Sequence, residues 1–370
     1  MSEWARGRGG DGATRIPNRA LLIVLLTLVC TSALASPGKV GAYVFFTKKY
    51  SATPEQLKAL INDAADAGVQ FLLPYARTTE GMALYDSKIM PQLPKGYDAL
   101  EVVIEAAHAR GMKVYPWFVV NSEGFDAPTE ILKEHPDWCQ VDIKGKREAW
   151  LDPSCPEARQ FVCSIVKEIA ANYDIDGLNL DYLRYREGPH CFCDRCTSAF
   201  QAQFGLDAKS ADDVKNGSLA WAKWRLWRYR QNNQFAREIR AALKEVKPDA
   251  ELSAYVWGAQ TYGTAWSICQ DWQTWMDEGL LDWVNPMGYY SVRREFITAA
   301  KWNREMTTDI PMLVTLAVSS RRGPARTKQQ IEDAMDCGAD GVVFFTLEYA
   351  RPMLKELSPI LHKLAEGRVK

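Results

Sequence analysis

Short apolar runs alternate along the chain with longer segments in which apolar residues recur every three or four positions. The runs fall at residues 40–46, 69–73, 113–120, 176–182, 252–257, 283–290, 311–317 and 341–347. Between them the helical spacing covers 54–67, 156–173, 219–246 and 353–364, with further helical stretches ending at Arg110-Gly111, Gly279 and Gly338. Thr53-Pro54 opens the first helix, with Thr as cap and Pro at the first helical position. Continuous apolar strands separated by helices predict a parallel sheet covered on both faces. Eight strand–helix units in one chain are most simply a (β/α)8 TIM barrel. A doubly wound open sheet is the alternative, but no glycine-rich phosphate fingerprint follows the first strand.

Arg15 and Arg19 precede an apolar run at 20–29, and Ala33-Leu34-Ala35 follows as a small-residue cleavage signature. Residues 1–35 are therefore expected to be a signal peptide. Residues 36–370 are expected to form one catalytic domain, since no Pro/Ser-rich linker divides them. The run is short for a permanent membrane helix. A periplasmic or extracellular protein with no stable membrane span is the expectation once the signal is cleaved, and an uncleaved anchor is the alternative. Lys and Arg number 45 against 46 Asp and Glu, which leaves no basic excess for nucleic acid. The 13 Trp residues suit stacking on sugar rings, although large cores also use Trp.

In a (β/α)8 barrel, chemistry sits at the C-terminal ends of the strands. The residues expected there are Arg77 on strand 2, Trp117 on strand 3, and Asn179, Asp181, Tyr182 and Arg184 on strand 4. Tyr255 and Trp257 end strand 5, Tyr289 and Tyr290 end strand 6, and Glu348 follows strand 8. This is an acidic pocket walled by aromatics, a fit for an oligo- or polysaccharide. It has no strand-end His and no Ser-His-Asp order, which argues against acyl transfer by a triad. Leu178 and Leu180 alternate with Asn179 and Asp181, so the polar pair should face the barrel axis. A carboxylate placed there must be paired or used. Asp181 is thus the leading catalytic candidate, with an Arg77 or Arg184 ion pair as its structural alternative. Glycoside cleavage needs a second carboxyl. Glu348 is the candidate, because Thr346 and Glu348 would share a face of strand 8, and Glu123 competes with it.

Cys191, Cys193 and Cys196 form a C-x-C-x-x-C cluster in an inserted loop after strand 4. Three thiols at this spacing supply most of a tetrahedral structural zinc site, with Cys155 or His190 as the fourth ligand. Disulfides are the alternative for an exported protein. No organic cofactor is expected.

The phrases His135-Pro136-Asp137-Trp138, Leu151-Asp152-Pro153 and Tyr173 to Tyr185 resemble the bacterial glycosyl hydrolase-like 10 family, as do 83–87 and 285–290. The resemblance implies a (β/α)8 barrel acting as a glycosidase on bacterial envelope or extracellular polysaccharide. The Asp-Gly-x-x-x-Asp phrase is also similar to the strand 4 motif of alpha-amylase-type enzymes, which would make Asp181 the nucleophile. Asn179 stands where that motif carries Arg, and Leu183 stands where chitinase-like enzymes carry Glu. Cys155-Pro156-Glu157 with Cys191, Cys193 and Cys196 is similar to the zinc site of glycoside hydrolase family 42 beta-galactosidases. That likeness implies Cys155 as fourth ligand. A barrel that binds glycan without cutting it is the competing function.

Overall fold

The computed structural model describes residues 38–124, 127–212, 218–258, 267–307, 309–319 and 321–368, so the expected signal segment 1–35 lies outside the described residues. The barrel strands are β1 Val40–Val44, β2 Phe71–Arg77, β3 Trp117–Val119 and β4 Gly177–Asp181. They continue as β5 Glu251–Val256, β6 Trp283–Pro286, β7 Leu313–Ala317 and β8 Gly341–Phe345. Hydrogen bonding runs in the order β7-β8-β1-β2-β3-β4-β5-β6, with every one of these pairs parallel. Parallel bridges Val284–Met312 and Met287–Thr315 bring β6 onto β7 and close the ring.

An outer helix follows each strand in turn. These are α1 Pro54–Asp66, α2 Ala99–His108, α3 Pro156–Asn172 and α4 Leu219–Val246. The rest are α5 Trp272–Asp277, α6 Arg293–Met306, α7 Gly323–Asp336 and α8 Leu354–Ala365. Burial on both faces explains why the strands read as unbroken apolar runs: all seven residues of β2 are buried. The Thr53 hydroxyl caps α1 by accepting from the Gln56 amide (3.3 Å), as the Thr-Pro start predicts. Among the described residues, no helix is long and apolar enough to cross a membrane.

The structure departs from the sequence expectation in four places. Strand 3 is split: Lys113–Val114 pairs with β2, and β3 begins only after Pro116, which has no N–H to give a ladder. Strand 8 ends at Phe345 and the chain turns at once into a short helix, Leu347–Ala350. Thr346 and Glu348 therefore do not alternate along a strand. The chain between β3 and α3 carries a small antiparallel hairpin, Cys139–Val141 with Arg147–Leu151. The loop after β4 contains a helix, Asp194–Phe204, whose N-cap is Cys193. Gly205 ends that helix in the left-handed conformation (φ 65°), which glycine adopts without steric cost.

Five strands meet in one polar network on the barrel axis. The Tyr43 hydroxyl donates to Asn179 Oδ1 (2.8 Å) and accepts from Asn285 Nδ2 (2.7 Å). Asn179 Nδ2 donates to Ser253 (2.9 Å) and Asn285 (3.0 Å), and Asn285 reaches Thr315 (3.2 Å). All five residues are fully buried, so each bond spares a desolvated polar group from standing alone.

Candidate active site

Directly above this network, at the end of β4, Asp181 faces the axis, on the same inward face as Asn179. It is 3% exposed. Its Oδ2 accepts from the Trp117 indole N–H (2.9 Å) and its Oδ1 from the Tyr182 backbone amide (2.7 Å). Burial pushes the carboxyl up to about 6, against those two bonds and the positive field of Arg184. The group is therefore ionised at neutral pH but close to taking up a proton.

Aromatic rings surround it. Trp117 stacks on Tyr75 (4.0 Å, 29°) and meets Tyr43 edge-on (5.0 Å). Phe345 packs against Tyr43 (5.4 Å), Tyr255 (6.0 Å) and Tyr289 (5.7 Å). The Tyr255 and Tyr289 hydroxyls are hydrogen-bonded to each other. Arg184 is held under the rings of Tyr182 (4.6 Å), Trp150 (4.8 Å) and Trp257 (5.0 Å), and pairs with Glu187 (3.2 Å). Tyr182 sits at φ 56°, a left-handed turn that points the chain out of the barrel immediately after Asp181.

The expected residues thus divide. Trp117 touches Asp181. Asn179 lies below it in the axial network. Tyr182, Arg184, Tyr255, Trp257 and Tyr289 belong to the aromatic mouth. Tyr290 lines a separate cavity with Arg293, Phe296 and Asp333, beside α6 and α7. Arg77 is not a substrate contact in this arrangement. It is fully buried, ion-paired to Glu123 and hydrogen-bonded to the Val119 and Val120 carbonyls. That pair also removes Glu123 as a free carboxyl. Glu348 is buried, and its Oε1 accepts from the Phe45 (2.8 Å) and Phe46 (2.9 Å) amides, which fastens the end of β1. Tyr75, which ends β2 beside Arg77, is where the strand pattern puts it, whereas Tyr43, Trp150 and Phe345 carry no such expectation. For Tyr43 and Phe345 the available signal was their place at or near strand ends.

Near the mouth, Cys191, Cys193, Cys196 and Asp152 bring their ligand atoms within 4.8 Å of one another. Cys155 is outside that group. It is the N-cap of α3, and its thiol contacts the Glu157 carboxylate (3.3 Å). Asp152 takes the fourth place because the turn before α3 aims its carboxylate inward, where it accepts from Ser154 (2.7 Å) and Cys196 (3.2 Å). Burial pushes Asp152 up to about 7. Hydrogen bonds from Cys191 and Cys196 pull Cys193 toward thiolate, while burial raises the other two thiols. Every cysteine among the described residues is a free thiol.

A closed parallel barrel with a buried carboxylate and an aromatic mouth at its strand ends is the arrangement of a TIM-barrel protein. Residues 34–330 match the glycosyl hydrolase-like 10 family, and the chain belongs to that family. It is 28% identical over 263 residues to the glycosyl hydrolase DigH of Escherichia coli K12, covering 60% of this chain and 56% of DigH. It is 27% identical over 223 residues to the glycosyl hydrolase YngK of Bacillus subtilis, covering 53% of this chain and 40% of that one. The chain thus spans about half the length of these curated relatives. Among solved structures, the glycoside hydrolase domain of PgaB (BpsB) from Bordetella bronchiseptica superimposes with a TM-score of 0.67 at 15% identity, over 88% of this chain and 99% of that one. The beta-galactosidase of Rahnella sp. R3 gives 0.65 at 15% identity, over 91% and 58%. At these identities the structural likeness concerns the fold.

Proposed function

We propose that the protein is an exported glycoside hydrolase, periplasmic or extracellular, that cuts a bacterial envelope or extracellular polysaccharide with Asp181 as nucleophile or base. The observation that carries this reading is Asp181 itself, a buried carboxylate held by two N–H donors at the C-terminal end of β4. The Trp117 and Tyr182 donors fix its oxygens, and Arg184 favours its charge. The ring of Tyr and Trp side chains supplies the flat faces that sugar C–H groups pack against. Glu187, on the loop after β4, is the exposed carboxyl nearest in the chain to Arg184. It is a candidate for the second carboxyl beside Glu348, whose Oε1 is held by the Phe45 and Phe46 amides while its buried Oε2 has no such tie. The hold on Glu348 Oε1 favours the second reading, a barrel that binds glycan without cutting it.

A structural zinc ion belongs to the proposal. Three thiols and a carboxylate within 4.8 Å suit a tetrahedral ion with Zn–S bonds of about 2.3 Å. Bound there, zinc would cross-link the Asp152 turn to the Cys191–Cys196 loop, and a closed four-ligand set leaves no position for chemistry.

The test is cleavage of denuded peptidoglycan, amino-sugar polymers and alpha-glucans by the purified chain. Asp181→Asn keeps the shape and removes the charge, and should cut turnover at least about a hundredfold without loss of fold. Full activity in that variant would place the site elsewhere. Tight binding with no cleavage across the panel would select the binding reading.

A further inference from the structure

A cavity of about 590 Å³ lies beside the mouth, against β1 and β2. Phe45, Tyr75 and Leu93 give it apolar walls, and Lys48, Thr78 and Glu80 give it polar ones. Its volume falls in the range of roughly 300–1,000 Å³ typical of ligand pockets. Phe45 is 45% exposed although it directly follows a buried strand. Its backbone is not loose: the Phe45 and Phe46 amides are both held by Glu348, and Phe46 turns the chain at φ 60°. The ring is thus presented outward by a fixed backbone.

That ring lies nearly parallel to Tyr75 (5.1 Å, 19°), Tyr75 stacks on Trp117, and Trp117 binds Asp181. Three rings run without a break from the catalytic carboxylate into the cavity. The polar groups differ in what they have left to offer. Lys95 spends its ammonium on the Ser51 carbonyl and hydroxyl (both 3.1 Å) and the Phe46 carbonyl (3.4 Å), bracing the cavity wall. Glu80 accepts from the Thr79 hydroxyl (3.0 Å) and pairs with no cation among the described residues. A flat apolar ring beside an exposed carboxylate that pairs with no cation matches a pyranose, which offers C–H groups on its face and hydroxyls at its edge.

We propose that this cavity is a remote sugar subsite, with Phe45 as its stacking platform and Glu80 as its hydroxyl acceptor. It would take a pyranose of the same polysaccharide that Asp181 addresses, so it rests on the glycosidase reading above. The polymer then runs across the mouth from β4 toward β1. Affinity should rise with chain length until the ligand reaches Phe45.

The experiment uses the full chain carrying Asp181→Asn, so that ligands are not cut. Chito- and malto-oligosaccharides from disaccharide to octasaccharide, and denuded peptidoglycan strands, are titrated by calorimetry. In the parent, affinity climbs with length. Adding Phe45→Ala removes the climb and weakens the longest ligands by about tenfold, the scale of one buried apolar face. Adding Glu80→Gln weakens them by a smaller factor. Adding Trp302→Ala, an exposed aromatic on α6, changes nothing. Thermal melts check that each variant is folded. If Phe45→Ala binds long ligands as the parent does, the subsite is wrong and the glycosidase reading stands. If the parent binds none of the probes and the wild type cuts none, both fall together.

Discussion

Replacing Trp117 by Phe removes one atom that matters, the indole N–H bonded to Asp181 Oδ2 at 2.9 Å, and leaves an aromatic ring to pack on Tyr75. A hydrogen bond to a charged acceptor contributes roughly 1.5–3 kcal/mol. This one favours the ionised carboxylate, so its loss raises the carboxyl above its present value of about 6. At about 1.4 kcal/mol per pH unit, the shift is on the order of one to two units. If Asp181 works ionised, the acid limb of kcat/KM should move up by that amount on any substrate the wild type cleaves. Stability should change in the same window. A carboxyl held above its ordinary 3.8 costs the fold stability as pH rises through its folded value. The variant extends that cost upward, so its melting temperature should fall further behind wild type between about pH 6 and 8 than at pH 5. An acid limb unmoved in Trp117→Phe, in an enzyme that Asp181→Asn inactivates, would refute this reasoning.

The other expectations concern the supporting groups. Arg77→Met leaves Glu123 buried without its cation and should cost roughly 3–5 kcal/mol in urea melts. Arg77→Met with Glu123→Gln should recover much of that loss. Glu348→Ala leaves the Phe45 and Phe46 amides without their acceptor, at roughly 1–3 kcal/mol each. Its rate loss should be the same on poor and activated leaving groups, whereas a loss confined to poor ones would make Glu348 the acid. Elemental analysis should find about one zinc per chain, lost in Asp152→Asn and kept in Cys155→Ser. The reverse result would make Cys155 the fourth ligand.

The strand–helix rhythm was legible because barrel strands buried on both faces must be apolar throughout, and β4 alternates cleanly enough to aim Asp181 inward. Partnership across the chain was not legible. Arg77 looks like a substrate clamp at a strand end, but its carboxylate lies 46 residues away in a loop with no pattern of its own. Glu348 was assigned by extending a period of two past Phe345, where the chain had already turned into a helix. The 139–151 hairpin is too short for its alternation to register. The helix after Cys193 was hidden by its cysteines, although a capping residue and Gly205 bracket it. Asp152 carries no ligand signature in the sequence, because its inward turn depends on Ser154 and the folded loop.

The Tyr43–Asn179–Asn285 network has a consequence for how this barrel could diverge. Asn179 stands where the amylase-type motif carries Arg, and here its amide is bonded to side chains from β1, β5 and β6. A guanidinium there would displace those contacts and strand several buried polar atoms at once. Arg at 179 alone is therefore destabilising, and the network would have to be rebuilt at Tyr43, Ser253, Asn285 and Thr315 to hold it. The layer beneath Asp181 thus responds to substitution as one unit, because each side chain in it satisfies a partner from another strand.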